Sequence, residues 1–387
     1  MRIGFFSDAY LPEVSGVGVS LSWLKKALES LGHEVIVYAP RYAGSRENES
    51  DVYRFRARRF VFHKASRVAL PYQHEAIRTF GTLDIAHSHT PFSLGFVALG
   101  ASLRHHLPHV HSYHTHLMEF RHYLPPLVRP PKRAVKEFAA AFCNRCTVVT
   151  AHSTPIKEEL LRYGVRRPIL VLPFGIDLDL FRRAPVWAPR AALGVPASAP
   201  LCLYAGRLAG EKNLSFLLRA FAHLHRELPT ARLVLAGDGP ERGHLERQVA
   251  EDRLDSAVTF AGFLDHPHLI DLYKASDLFL FASKTETQGL VLVEAMASGL
   301  PTVAIGEMGA LDMIQDGENG LLAPEDERGF ARVALSLLGD RDRHAKLRQG
   351  ALDAGERLSS LNTARRFVEI YQEALRGRGQ EAGTPAV

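Results

Sequence analysis

Two glutamates, Glu286 and Glu294, stand eight positions apart in TETQGLVLVEAMASGLPTVA, residues 285–304, with Gly289 between them at the start of an apolar run. That run reads as a helix. Its first N–H groups, at Gly289 and Leu290, have no partner inside the helix, so its start can seat a phosphate, and glycine lets a ligand come close. Glu286 precedes the helix and Glu294 lies about a turn and a half inside it. The two carboxylates therefore flank the phosphate position and can each accept hydroxyl hydrogen bonds from a different group. Upstream, YAGRLAGEKN sets Arg207 and Lys212 just past a strand end. There a planar guanidinium fork and an ammonium point charge can clamp a diphosphate. Together these residues describe a nucleotide-sugar site.

Other reactive residue types lead less far. Cys143 and Cys146 form a C-x-x-C in AFCNRCTVVT, but no second pair exists, and three cysteines in 387 residues do not make a disulfide framework. They read as packed thiols where a helix runs into a strand. Histidines crowd positions 105–122, yet no cysteine or carboxylate cluster stands beside them at ligand spacing, so no metal site is expected. His87 and His89 share one face of a strand and read as packing residues.

These groups need elements to hold them. The chain is 46% hydrophobic with a mean hydropathy of −0.06, enough apolar content for two domains each with its own core. No apolar run approaches the roughly 18 residues of a spanning helix, and MRIGFFSDAY reads as a short buried strand rather than a signal peptide. The expectation is a cytoplasmic protein. In the first half RIGFFS, EVIVYA, LDIAHSH, HVHSYHT and CTVVTA alternate with helical stretches, the first from about Leu21 to Leu31, as βαβ units do. A Pro-, Ala- and Gly-rich stretch follows. LCLYAGRL, ARLVLAGDGP, AVTFAGFL, DLFLFAS, PTVAIG and GLLAP then restart the pattern.

The resulting division is a first domain over residues 1–175, a linker over 176–200 and a second domain over 201–362. A closing helix with its tail, 363–387, is expected to pack back toward the first domain. Two doubly wound sheets predict a ligand cleft lined by the carboxyl ends of their strands.

The glutamate pair, GRLAGEKN, LAGDGP, ASDLFLFAS, EAMASGLPTVA, DGENGLL and the linker PFGID occur in one order along nearly the whole chain. In this the sequence resembles the retaining glycosyltransferases of family four, whose GT-B fold places two Rossmann-like domains face to face. The resemblance implies that Arg207 and Lys212 hold the donor diphosphate, Glu294 the ribose and Glu286 the transferred sugar, while the backbone at Phe263 and Leu264 meets the base. It implies no cofactor, and no metal ion, since the cations and the helix end offset leaving-group charge. SDAYLPEVSGVGVS resembles the family's first strand and glycine loop. The family's adjacent glycines are here separated as Gly16 and Gly18, with Gly16 the better candidate for a close approach. Tyr113-His114-Thr115 resembles a strand-end motif whose histidine faces the transferred sugar, with His116 as the alternative. A sugar-nucleotide epimerase and a two-lobed solute-binding protein fit the motif set less well. An NAD enzyme is disfavoured because no G-x-G-x-x-G follows the first strand.

SDAYLPEVSGV, HSHTPFSLG and SYHTH resemble the branch of the family that glycosylates diacylglycerol or related lipids, which implies a lipid acceptor and peripheral attachment to the cytoplasmic membrane face. Charge points the same way. Residues 1–175 carry 23 Lys+Arg against 13 Asp+Glu, and 176–387 carry 24 against 29. In the first half, residues 52–67 hold Arg54, Arg56, Arg58, Arg59, Lys64 and Arg67 with no acid, interleaved with aromatic and aliphatic residues. Arg129, Lys132, Arg133 and Lys136 form a second basic stretch. Such mixtures suit an anionic bilayer, the alternative being an edge strand with solvated arginines. No nucleic-acid module accompanies the charge.

Overall fold

Runs of Val, Ile, Leu and Phe too short for a buried helix become strands covered on both faces. The computed structural model describes residues 1–381 except 14, 43, 46–50, 61–62, 115, 122–123 and 126–127. It divides into two units, Met1–Gly175 with the chain from Ser360 onward, and Ile176–Ser359.

The first unit holds β1 (Arg2–Phe6), β2 (Glu34–Pro40), β3 (Val52–Phe55), the pair β4 (Ala57–Phe60) and β5 (His63–Ala69), then β6 (Ile85–Ser88), β7 (His109–Tyr113), β8 (Val148–Ala151) and β9 (Ile169–Val171). Seven of them form an all-parallel sheet in the order β3-β2-β1-β6-β7-β8-β9, and β4 with β5 forms a separate antiparallel ribbon. The closing helix, Ser360–Glu381, belongs here: Phe367 and Tyr371 are fully buried in one core cluster with Phe5, Leu24 and Val37.

The second unit holds β10 (Leu201–Ala205), β11 (Arg232–Ala236), β12 (Val258–Gly262), β13 (Leu278–Phe281), β14 (Thr302–Ile305) and β15 (Gly320–Ala323). They form a parallel sheet in the order β12-β11-β10-β13-β14-β15. Each sheet thus has one point where strand order reverses, between β1 and β6 and between β10 and β13. Chain leaving the carboxyl ends of those strands diverges there and opens a crevice.

Several sequence expectations need amendment. The first helix begins earlier than the apolar pattern, at Gly16, because Ser15 caps it by accepting from Gly18 N–H. β9 is hidden by its brevity, whereas the edge strand offered as the alternative for 52–67 is present as β3 at the sheet edge, followed by the β4–β5 ribbon. Residues 176–200 are not a bare connector but carry helices Leu178–Arg182 and Pro189–Ala192. Asp271, 2% exposed, holds them by accepting from the Arg183 guanidinium at 3.1 Å and from the Val186 and Trp187 N–H groups at 2.9 and 3.0 Å. A buried carboxylate with three donors ties this segment into the second unit.

Candidate functional site

In the second unit, the chain that follows β10 and β13 carries Arg207, Lys212, Glu286, Gly289 and Glu294. Arg207 follows β10 and is exposed; Lys212 ends the short 3-10 turn Gly210–Lys212. The backbone there is set by glycines. A Cβ on Gly237, at φ +138°, would stand 1.9 Å from the Gly206 carbonyl oxygen, so no larger residue lets the two loops pack. Beyond β13 comes the Glu286 loop, then helix Leu290–Ala297 with Gly289 as its cap at φ 80°, ψ 69°. The left-handed cap turns the chain sharply into the helix and leaves its first N–H groups facing out of its start. The loop is clamped from the next crossover, where Gly309 N–H donates to the Glu286 carbonyl at 3.0 Å and a Cβ on Gly309 would stand 2.8 Å from Gln288.

Lys212 and Glu286 meet directly: the ammonium donates to Glu286 Oε1, with both side chains about four-fifths buried. The cation read as a phosphate clamp and the carboxylate read as a sugar acceptor therefore neutralise each other.

Glu294 is 5% exposed and anchored by two residues that sequence reading missed. Tyr273 Oη donates to its Oε2 at 3.0 Å and His266 Nε2 lies 3.2 Å from its Oε1. Both partners lie on helix His266–Ala275, seven positions apart and so on one face. Burial first, then the Glu294 charge, push the Tyr273 phenol far up, so it remains a donor. The helix follows directly on Phe263 and Leu264, whose backbone was assigned to the base; Phe263 is 66% exposed and Leu264 half-buried. The signal available in sequence was only a Tyr and a His at helical spacing before DLFLFAS. A carboxylate offers about four lone-pair positions, so Glu294 keeps acceptor capacity beside its two anchors.

In the first unit the corresponding turn is built on Asp8. Its carboxylate, nine-tenths buried, accepts from Thr90 Oγ1 at 2.6 Å, from the Ser93 hydroxyl and from Leu94 N–H at 3.3 Å, capping helix Ser93–His105 from the end of β1. Burial raises its pKa and these hydrogen bonds partly offset the rise. Open space surrounds Gly16, whereas a Cβ on Gly18 would meet Ser15 Oγ at 3.2 Å and Tyr10 Cα at 3.3 Å. Gly16 has room for a ligand above it and Gly18 serves the turn.

The histidines form a chain. His152 Nδ1 lies 3.2 Å from the Leu172 carbonyl, His152 Nε2 lies 3.0 Å from His114 Nδ1, and His114 Nε2 lies 3.2 Å from His89 Nδ1. A carbonyl only accepts, so His152 carries its proton on Nδ1. Each neutral ring then accepts at Nε2 and hands the same tautomer to the next, ending at a bare, buried His89 Nε2 with no partner among the described residues. Burial holds His152 down to about 4, and burial followed by neighbouring histidines holds His114 and His89 well below the ordinary imidazole value. His87, also expected to be a packing residue, sits between Tyr371 Oη at 2.7 Å and Ser112 Oγ at 2.8 Å. His109 and His111 share Ser88 Oγ at 2.7 and 2.8 Å. Both ring nitrogens of His114 are engaged, so a sugar hydroxyl would have to replace the His89 contact. His116 lies 3.0 Å from Glu159. Among the described residues no group of three His, Cys, Asp or Glu is placed to hold a metal. Cys143, Cys146 and Cys202 are buried and free.

The basic stretches divide. Arg56, Arg58, Arg59, Lys132, Arg133 and Lys136 are exposed, with Arg133 paired to Glu137 at 2.7 Å. Lys136 lies over the Tyr163 ring at 5.6 Å, and three of the others are part-buried. Arg54 and Arg67 lie over Tyr10 and Tyr42 at 5.6 and 4.9 Å, and Arg129 Nε and Nη2 both donate to the Leu124 carbonyl at 3.2 Å. An aromatic face or a carbonyl within the unit gives each guanidinium a partner. The Lys64 side chain lies outside the described ones.

Two parallel Rossmann-like sheets, the second presenting cations and paired carboxylates at its switch point, define a GT-B glycosyltransferase. The models for Glycosyltransferase Family 4 and Glycosyl transferases group 1 match residues 14–180 and 186–353, and the chain belongs to that family. It is 32% identical to the alpha-monoglucosyldiacylglycerol synthase of Streptococcus pneumoniae, over 97% of this chain and 86% of that one. It is also 30% identical to a D-inositol 3-phosphate glycosyltransferase of Thermobispora bispora, over 94% and 91%. Among solved structures, Anabaena HepE in complex with UDP and glucose superposes with a TM-score of 0.79 at 22% identity, over 96% of this chain and all of that one.

Proposed function

We propose that this glycosyltransferase moves a hexose from a nucleotide-sugar, a UDP-sugar by preference, to a membrane lipid such as diacylglycerol. The anomeric configuration is kept and no metal ion is needed. The observation that carries the donor side is the contact between Lys212 and Glu286, which joins the loop after β10 that bears Arg207 to the loop after β13 that runs into Gly289 and Glu294. In this reading the diphosphate draws Lys212 and Arg207 onto its oxygens and lies toward the N–H groups at Gly289 and Leu290. Glu286, freed from Lys212, takes the sugar hydroxyls, and Glu294, held by Tyr273 and His266, takes the ribose. His114 and Gly16 keep their assignment to the transferred sugar from the resemblance alone.

The acceptor hydroxyl attacks from the face that the diphosphate leaves, and the departing phosphate oxygen receives its proton. The cations and helix end supply the leaving-group charge compensation that a divalent ion supplies elsewhere.

The lipid acceptor rests on the glycolipid synthase relatives and on the basic first unit, which together point to action at the cytoplasmic face of a membrane. A soluble or phosphatidylinositol acceptor is the second reading, favoured by the inositol phosphate transferases among the relatives. Product analysis with labelled UDP- and GDP-sugars, with and without diacylglycerol in anionic vesicles, decides. A labelled glycolipid formed without added metal is expected. Donor turnover onto inositol phosphates alone would replace the lipid reading, and loss of transfer on chelation, restored by a divalent ion, would remove the metal-free one.

A further inference from the structure

His89, His114 and His152 are each the first residue beyond a strand, after β6, β7 and β8, and Leu172 is the first beyond β9. These strands are parallel neighbours, and the last residues of β7, β8 and β9, which are Tyr113, Ala151 and Val171, pair in register. The residues that follow therefore form a row along the carboxyl edge of the sheet, the edge on which open α/β sheets take their ligands. Phe174 holds two of the rings edge-on, with its centroid 4.8 Å from that of His114 and 5.0 Å from that of His152. His89 and His152 are buried, and of the three only His114 is partly open.

The carbonyl at one end gives the row a direction. Leu172 O takes the proton on His152 Nδ1, so His152 Nε2 is left as an acceptor 3.0 Å from His114 Nδ1. Burial keeps both rings uncharged at neutral pH, one proton each. His114 then carries its proton on Nδ1, and its Nε2 can only accept. The opposite tautomer would set an unprotonated His152 Nδ1 against the Leu172 carbonyl, two acceptors facing each other where water is excluded.

We infer that His152 is a positioning residue for sugar transfer: by accepting from His114 Nδ1 it fixes that ring and its tautomer, so that Nε2 presents a lone pair to a hydroxyl of the transferred sugar. The inference rests on the reading in which His114 faces that sugar, and it adds the hydrogen-bond role that the ring plays. The sugar hydroxyl donates to Nε2 and displaces the His89 contact at 3.2 Å. His152 acts only through His114, as an outer partner that orients a ring and sets its protonation.

The test uses the full chain with isotopically labelled histidine, read by nitrogen NMR at neutral pH, the His114 signals being those lost in His114→Ala. Wild type should show His114 protonated on Nδ1 and bare at Nε2. His152→Leu leaves that Nδ1 proton without an acceptor, so the second tautomer should appear and kcat/KM for transfer should fall about tenfold. His152→Gln can bridge the same two partners, its amide N–H donating to Leu172 and its amide oxygen accepting from His114. It should restore the tautomer and most of the rate, and melting profiles show which variants are folded. His114 protonated on Nε2 in wild type, or a folded His152→Leu protein with wild-type tautomer and rate, would overturn the inference. So would a His152→Gln protein with the tautomer restored and the rate still depressed. Should the leucine variant not fold, the wild-type tautomer and the glutamine variant still decide. Full transfer by His114→Ala would show instead that the sugar does not meet this ring, removing the underlying reading and the inference with it.

Discussion

At the scale of single residues, the Glu286–Lys212 and Glu294–Tyr273 contacts give the two carboxylates different properties. Glu294 is buried and held by uncharged or half-buried donors, so its geometry is set before any ligand arrives. Removing it should weaken donor binding by one to two orders of magnitude, since hydrogen bonds to a charged group are worth about 1.5–3 kcal/mol. Tyr273→Phe should reproduce about a tenfold part of that loss in donor affinity with little change in turnover, because it frees Glu294 without removing it. Glu286→Ala should lower turnover as well as affinity. Calorimetric donor titration alongside steady-state rates separates the two, and unchanged affinity and rate in all three variants would dismiss the site. The carboxylate spacing was legible in the chain, but Tyr273 and His266 were not, because nothing local marks which face of helix His266–Ala275 turns toward Glu294.

At the scale of elements, the decisive feature is the left-handed cap at Gly289. An L side chain there is disfavoured by about 1–2 kcal/mol, and a Cβ would also press on Leu292 Cδ1 at 3.1 Å. Gly289→Ala should therefore lower the melting temperature by a few degrees and weaken donor binding by more than the stability loss explains, since the helix start itself shifts. Equal donor affinity in a folded Gly289→Ala protein would separate the helix end from the phosphate. Most strands were readable as short Val, Ile, Leu and Phe runs. β3 to β5 were legible only as a single edge strand, one of two readings of 52–67, because arginines break the alternation, and their exposure is what an edge strand and a two-stranded ribbon allow.

For the whole molecule, the buried histidines couple stability to pH. His87, His89, His109, His111, His114 and His152 are all held below the unfolded value of 6.5 by burial, His109 and His111 down to about 3. Between the folded and unfolded values the unfolded chain binds protons that the folded chain does not, so acid favours unfolding. Stability is complete above about pH 6.5 and is lost progressively below it, by about 1 kcal/mol per pH unit for each such group. Asp8, raised by burial, acts in the opposite sense but is a single proton. Urea midpoints should fall steeply from pH 7 toward pH 5, and a flat midpoint over that interval would show that these imidazoles already titrate in the folded state.

Composition and periodicity by themselves determined a two-sheet α/β chain, and the spacing of Glu286, Gly289 and Glu294 marked the strand-loop-helix segment on which the donor-site proposal rests. Those signals are local, repeating every few residues or lying within one strand-loop-helix segment. Tertiary structure alone decided that Lys212 meets Glu286, that three imidazoles share one tautomer, and that Arg54 and Arg67 turn onto tyrosines. Each of these depends on side chains brought together from distant positions by strand order, and strand order is fixed by packing the whole sheet rather than by any stretch of it.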